Sequence, residues 1–199
     1  STKAGVLVGI GTLCTGVLNV SNNTVAGLTS IGTASVSHNI VGLLLSATGV
    51  AVTTVNNNTI GSTTLTQSID ASTVYTGTSS QYINGISNTG SGTVSITNNT
   101  IANLINRATN SGGASTGSIF RGIAVTSGIA TVVSGNVIRD FSVAANSTSS
   151  TLHAVVGIYM NSSTAGAWAV SNNTVFNISN TLSTSATYVT GIYSASSAT

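Results

Sequence analysis

The sequence predicts an all-β fold, a parallel β-helix (β-solenoid) of about 36 residues per rung, with three short strands in each of five to six rungs. Three observations predict it. One phrase recurs: VSNNTV at 20–25, VNNNTI at 55–60, ITNNTI at 96–101, VSGNVI at 133–138 and VSNNTV at 170–175. A second phrase, Gly followed by Ile or Leu, alternates with the first. Apolar β-branched residues alternate with Ser, Thr and Asn, while Glu is absent and Lys, Arg and Met are scarce, which disfavours helix.

The first strand of each copy surrounds the glycine, at Gly9, Gly42, Gly85, Gly122, Gly157 and Gly191. Two residues before it stand Leu7, Ile40, Ile83, Phe120, Val155 and Val189, and one after it Ile10, Leu43, Ile86, Ile123, Ile158 and Ile192. Apolar columns on both sides mark a strand with one face buried. The glycine itself implies either close backbone approach or a bulge. VSHNIV at 36–41 runs into Gly42 and so belongs to a first strand.

The second strand ends three residues before the last Asn of the first phrase, at Val20, Val55, Ile96, Val133 and Val170. Trp168 shares an inward register with Leu18, Thr53, Val94 and Thr131, so core packing is expected of it. The sharp bend that follows is assigned to Asn23, Asn58, Asn99, Asn136 and Asn173. Asn tolerates positive φ, and stacked copies can pass amide hydrogen bonds from rung to rung as an asparagine ladder.

The third strand carries Val25, Ile60, Ile101, Ile138 and Val175, then Leu28, Thr63, Leu104, Phe141 and Ile178. Outward Thr24, Thr59, Thr100 and Thr174 form a further column, interrupted by Val137. Connections to the next glycine vary in length, which places long turns near 64–80, 105–117 and 142–151 with Asp70, Tyr75 and Arg107 in them. Residues 1–199 read as a single β-helix domain, expected to be a fragment of a longer repeat protein.

Composition narrows the function. The chain has four basic and two acidic residues and is 3 % charged. Disorder requires high charge with low hydrophobicity, and nucleic-acid binding requires many cations, so neither is expected. No apolar run reaches the ~18 residues of a membrane span. One cysteine, Cys14, permits no intrachain disulfide. The missing leader and initiator Met suggest a mature product or an excised piece.

V-x-x-N-x-[IV] alternating with G-I-x resembles the right-handed parallel β-helix repeats of the pectate-lyase-like superfamily. The Ser/Thr/Asn-rich, charge-poor form is most similar to repeat regions of large secreted or surface proteins of Bacteroidota. That resemblance implies export, a longer parent chain, and an extracellular or cell-surface location.

Little acid–base chemistry is available. Asp70 and Asp140 fall in different copies, two rungs and about 10 Å apart, and glycoside hydrolysis needs a closely placed carboxylate pair. His38 and His153 share a register but lie three copies apart, so no metal or other cofactor is expected. Tyr82, Tyr159, Tyr188 and Tyr193 point away from the buried columns and form a candidate ligand-contact patch. The expected function is a non-enzymatic structural or adhesive segment, stacked end to end on further copies or flanking repeats, with filament formation and surface glycans as partners to test. A carbohydrate-binding module is the alternative, ahead of a polysaccharide-degrading enzyme or an ice-binding face.

Overall fold

Strands with one apolar face must cover it, and three such strands per coil can cover one another around a central core. The computed structural model does this, and it describes residues 5–33, 35–49, 51–71, 81–109, 119–144, 153–162, 166–181 and 188–195. Coil one contains β1 (Gly5–Thr12), β2 (Leu18–Ser21), β3 (Thr24–Val25) and β4 (Leu28–Ser30). Coil two contains β5 (His38–Leu45), β6 (Val52–Asn56), β7 (Thr59–Gly61) and β8 (Ile69–Ala71). Coils three to five have three strands each: β9 (Tyr82–Asn88), β10 (Thr93–Thr97) and β11 (Thr100–Asn106), then β12 (Ile119–Val125), β13 (Ala130–Ser134) and β14 (Val137–Val143), then β15 (His153–Met160), β16 (Ala167–Ser171) and β17 (Thr174–Asn180). β18 (Tyr188–Ser194) begins a sixth level.

Equivalent strands pair in parallel. The first sheet runs β1-β5-β9-β12-β15-β18, the second β2-β6-β10-β13-β16 and the third β3-β7-β11-β14-β17, with β4 and β8 extending the third in coils one and two. The registers reproduce the sequence columns. Leu7 faces Ile40, then Ile83, Phe120, Val155 and Val189 along the first sheet. The second sheet aligns Leu18, Thr53, Val94, Thr131 and Trp168, and Trp168 packs against the core as its register predicts. Inner-column Ile, Leu and Val of coils two to four are fully buried, those of the end coils partly so, and Phe120 and Phe141 meet with ring centroids 4.1 Å apart. Each such side chain contributes roughly 1.5–3 kcal/mol of burial.

The turn between the second and third strands divides its two tasks between adjacent residues. Positive φ was expected at the ladder asparagines, but it falls one residue earlier, at Asn22, Asn57, Asn98, Gly135 and Asn172. That position needs the left-handed region, which Asn and Gly occupy most readily, and VSGNVI accordingly has Gly there. The next residue is then free to turn its amide along the axis. Asn23 Nδ2 donates to Asn58 Oδ1 at 3.0 Å, Asn58 to Asn99 at 2.9 Å, Asn99 to Asn136 at 3.0 Å and Asn136 to Asn173 at 2.9 Å. Each accepting oxygen also takes the backbone N–H of the preceding ladder residue. From Asn58 onward, each Nδ2 also donates to a backbone carbonyl of the coil before it, at Val20, Val55, Ile96 and Val133.

The column glycines are there for space. A Cβ on Gly85 would lie 2.5 Å from the Gly122 carbonyl oxygen and 2.5 Å from Ile101 Cγ2, and Gly9, Gly42, Gly122 and Gly157 are equally closed. None of them has positive φ among the described residues. Close approach is therefore the reason for glycine. Ile40 and Leu43, three residues apart, are both fully buried, so strict alternation also breaks at this point.

Two sequence expectations change in the third sheet. Ile69, not Thr63, faces Leu28 and Leu104, so this column is wholly apolar. Coil two loops out after Gly61 and returns to the core at Ile69, a detour invisible to a constant offset from Asn58. Asp70 consequently sits on β8 rather than in a long turn, and Arg107 directly follows β11. Tyr75 and most of the expected long turns, at 72–80, 110–117 and 145–151, lie outside the described residues.

Thr53 and Thr131 face inward, nearly or fully buried, with hydroxyls that have no hydrogen-bond partner. Valine has the same shape without the unpaired group. Thr131→Val is expected to stabilise the fold by about 1 kcal/mol, measured as a higher midpoint in chemical denaturation.

Candidate functional site on the outer face of the first sheet

Two outward columns run along the first sheet on either side of its glycines. Immediately before the glycines stand Val8, Val41, Asn84 and Arg121, in register from coil one to coil four. Two residues after them stand Leu44, Ser87, Ala124, Tyr159 and Tyr193. A cavity of about 350 Å³ lies on this face, lined by residues of both columns together with Val6, Tyr82, Thr89 and Thr126.

The cavity changes character along its length. Coils one and two contribute Val6, Val8, Val41 and Leu44. Coils three and four contribute Asn84 and Arg121, whose Oδ1 and Nε are buried without hydrogen-bond partners. Burial lowers the Arg121 guanidinium below its usual range, opposed by Tyr159, and burial raises the Tyr82 phenol.

Beyond the cavity the face becomes aromatic. Arg121 Cζ lies 3.6 Å from the centre of the Tyr159 ring. Tyr159 stacks on Tyr193 at 5.4 Å with 16° between planes, and His153 meets Tyr193 at 4.1 Å and Tyr188 at 5.0 Å. His153 Nδ1 is 2.7 Å from Thr190 Oγ1. Three of the four candidate tyrosines are thus brought together, while Tyr82 stands apart at the cavity. The rings face along the solenoid axis and against one another, so Tyr159 has Arg121 on one side and Tyr193 on the other. These contacts join coil to coil, while Tyr188 remains half exposed.

Both carboxylates are engaged. Arg107 holds Asp70 through Nε at 3.0 Å and Nη2 at 3.1 Å, across coils two and three. Asp140 pairs with Arg139 and accepts a hydrogen bond from Asn177 Nδ2. Asp140 has positive φ, as do Asn103 and Asn177 beside it in successive coils, which suits Asn and Asp. His38 rests against Ser30, with 3.1 Å between its Nδ1 and the Ser30 Oγ. Among the described residues no three His, Cys, Asp or Glu side chains gather where a metal could sit.

Sequence reading missed Arg121 and Asn84 as site residues, although the position before each column glycine carries the signal: Val, Val, Asn, Arg, Val, Thr from coil one to coil six. It also missed a polar corner in which Gln81 Nε2 donates to Asn106 Oδ1 at 2.9 Å and Gln81 Oε1 accepts the His38 backbone N–H at 2.8 Å. A larger opening of about 550 Å³ lies on the third sheet beside Thr24, Thr59 and the loop after Gly61, and no charged residue lines it. Comparison with family models, with curated proteins and with solved structures found no match to this chain.

Proposed function

We propose that the chain is a non-enzymatic structural and adhesive segment of a secreted or cell-surface β-solenoid protein. One observation supports it above the rest: the ladder asparagines, three of the tyrosines and both carboxylates are engaged by other protein groups. The asparagine amides bond along the axis, the tyrosines stack along it, and an arginine holds each carboxylate. A surface organised this way stabilises stacking of the coils. The low charge and the resemblance to Bacteroidota repeat regions accord with export.

End-to-end assembly accords with the exposure of the sixth level, the last among the described residues. Val155 and Ile158 are fully buried in coil five, whereas their counterparts Val189 and Ile192 are 45 % and 50 % exposed. A further coil laid on that edge, from a second copy or a neighbouring repeat, buries the same columns and pairs the open strand. Sedimentation velocity on the 199-residue chain is expected to show concentration-dependent association that Ile192→Lys reduces. A strict monomer at millimolar concentration counts against the reading. So does hydrolysis of a polysaccharide that Asp140→Asn abolishes.

The carbohydrate-binding reading is less well supported, because Tyr159 and Tyr193 stack on each other. Reproducible binding on a glycan array, lost in both Tyr159→Ala and Tyr193→Ala, would restore it.

A further inference from the structure

The cavity on the first sheet pairs a cationic side chain, Arg121, with an apolar column, Val8 and Val41. Arg121 presents a buried Nε with no partner, and it forms no ion pair with any described residue. Asn84, only 9 % exposed, presents an unpartnered Oδ1 one coil away in the same column. A cation with no anion is destabilising unless something from outside completes it. Away from this end the same column turns apolar, through Val41 to Val8, with Leu44 alongside.

We propose that this cavity binds a monocarboxylate with an extended aliphatic body. The carboxylate lies against the guanidinium of Arg121, which forms no ion pair among the described residues. The body runs from coil three toward coil one over Val41, Leu44 and Val8. Four coils spaced by about 4.8 Å give the cavity an axial length of roughly 14 Å. The lowered basicity of the buried guanidinium agrees with a site that gains from a bound anion.

Octanoate is the probe, with octanol, acetate and sulfate as controls, measured by isothermal titration on the full 199-residue chain. The expected result is saturable octanoate binding at least tenfold tighter than any control. Octanol binding as tightly removes the role of Arg121, and acetate or sulfate binding as tightly removes the apolar body. Either outcome overturns the proposal, as does no octanoate binding up to millimolar concentration. Arg121→Met, which keeps the cover over Tyr159, is expected to weaken octanoate at least tenfold with an unchanged circular dichroism spectrum. Unchanged affinity in that variant overturns the assignment. If the variant fails to fold, the control series on the unaltered chain still decides.

Discussion

Gly122→Ala is expected to destabilise the solenoid by about 3 kcal/mol or more, with partial or complete loss of folded protein. The added Cβ would lie 2.6 Å from the Gly157 carbonyl oxygen and 2.6 Å from Ile138 Cγ2. The first contact is with backbone of the next coil in the same sheet, and the second is with a stiff β-branched side chain across the core. Neither can move without separating paired strands. Gly191→Ala supplies the internal control, since nothing lies within 4 Å of its Cβ position. That variant is expected to remain within about 0.5 kcal/mol of the parent. Urea denaturation of the two variants side by side measures the difference, and equal stability would show that the glycine column is not set by space.

Asn99→Ala is the second large effect. Asn99 is fully buried, and its side chain lies within hydrogen-bond distance of five polar atoms on four residues, its two Nδ2 hydrogens being shared among three acceptors. Its oxygen accepts the backbone N–H and the Nδ2 of Asn58, and its Nδ2 donates to Val55 O, Thr97 O and Asn136 Oδ1. Truncation leaves several of these groups buried without a partner, for a loss of about 3–5 kcal/mol. Asn99→Asp keeps the acceptor but removes the donor and buries a charge, so it is expected to do no better. Asn23→Ala tests position along the ladder. Asn23 is only partly buried and receives no ladder bond from a preceding coil among the described residues, so the expected loss is about 1 kcal/mol. Hydrogen exchange at the Asn58 and Asn136 amides should report Asn99→Ala as accelerated exchange on both sides of the altered coil.

Much of this architecture is legible in the residues because a solenoid is nearly one-dimensional. Asn58, Asn99 and Asn136 are 41 and 37 residues apart in the chain but neighbours along the axis. Aligning the phrases is therefore equivalent to stacking the coils. The apolar columns, the inward Trp168 and the assignment of VSHNIV to β5 all follow from that alignment. Two turn details did not follow. An Asn-Asn pair does not reveal which residue takes positive φ and which builds the ladder, since either side chain tolerates both tasks. The repeat also does not show how coil two absorbs extra residues, and Ile69 replaced Thr63 because the core selects an apolar side chain at whatever chain offset delivers it.

The candidate site was legible only in part. Tyr159 and Tyr193 lie in one column by alignment alone. Their stacking on His153, and Arg121 over Tyr159, depend on how far each side chain reaches along the axis. The repeat determines which residues are equivalent, and so by itself determined the coil, its core and its ladder. Tertiary structure alone decided which long side chains find partners in the next coil, pairing Arg107 with Asp70, laying Arg121 over Tyr159, and leaving Arg121 Nε and Asn84 Oδ1 without a hydrogen-bond partner. The physical reason is that backbone pairing repeats from coil to coil, whereas the contacts of an outward side chain depend on neighbours that differ at every level.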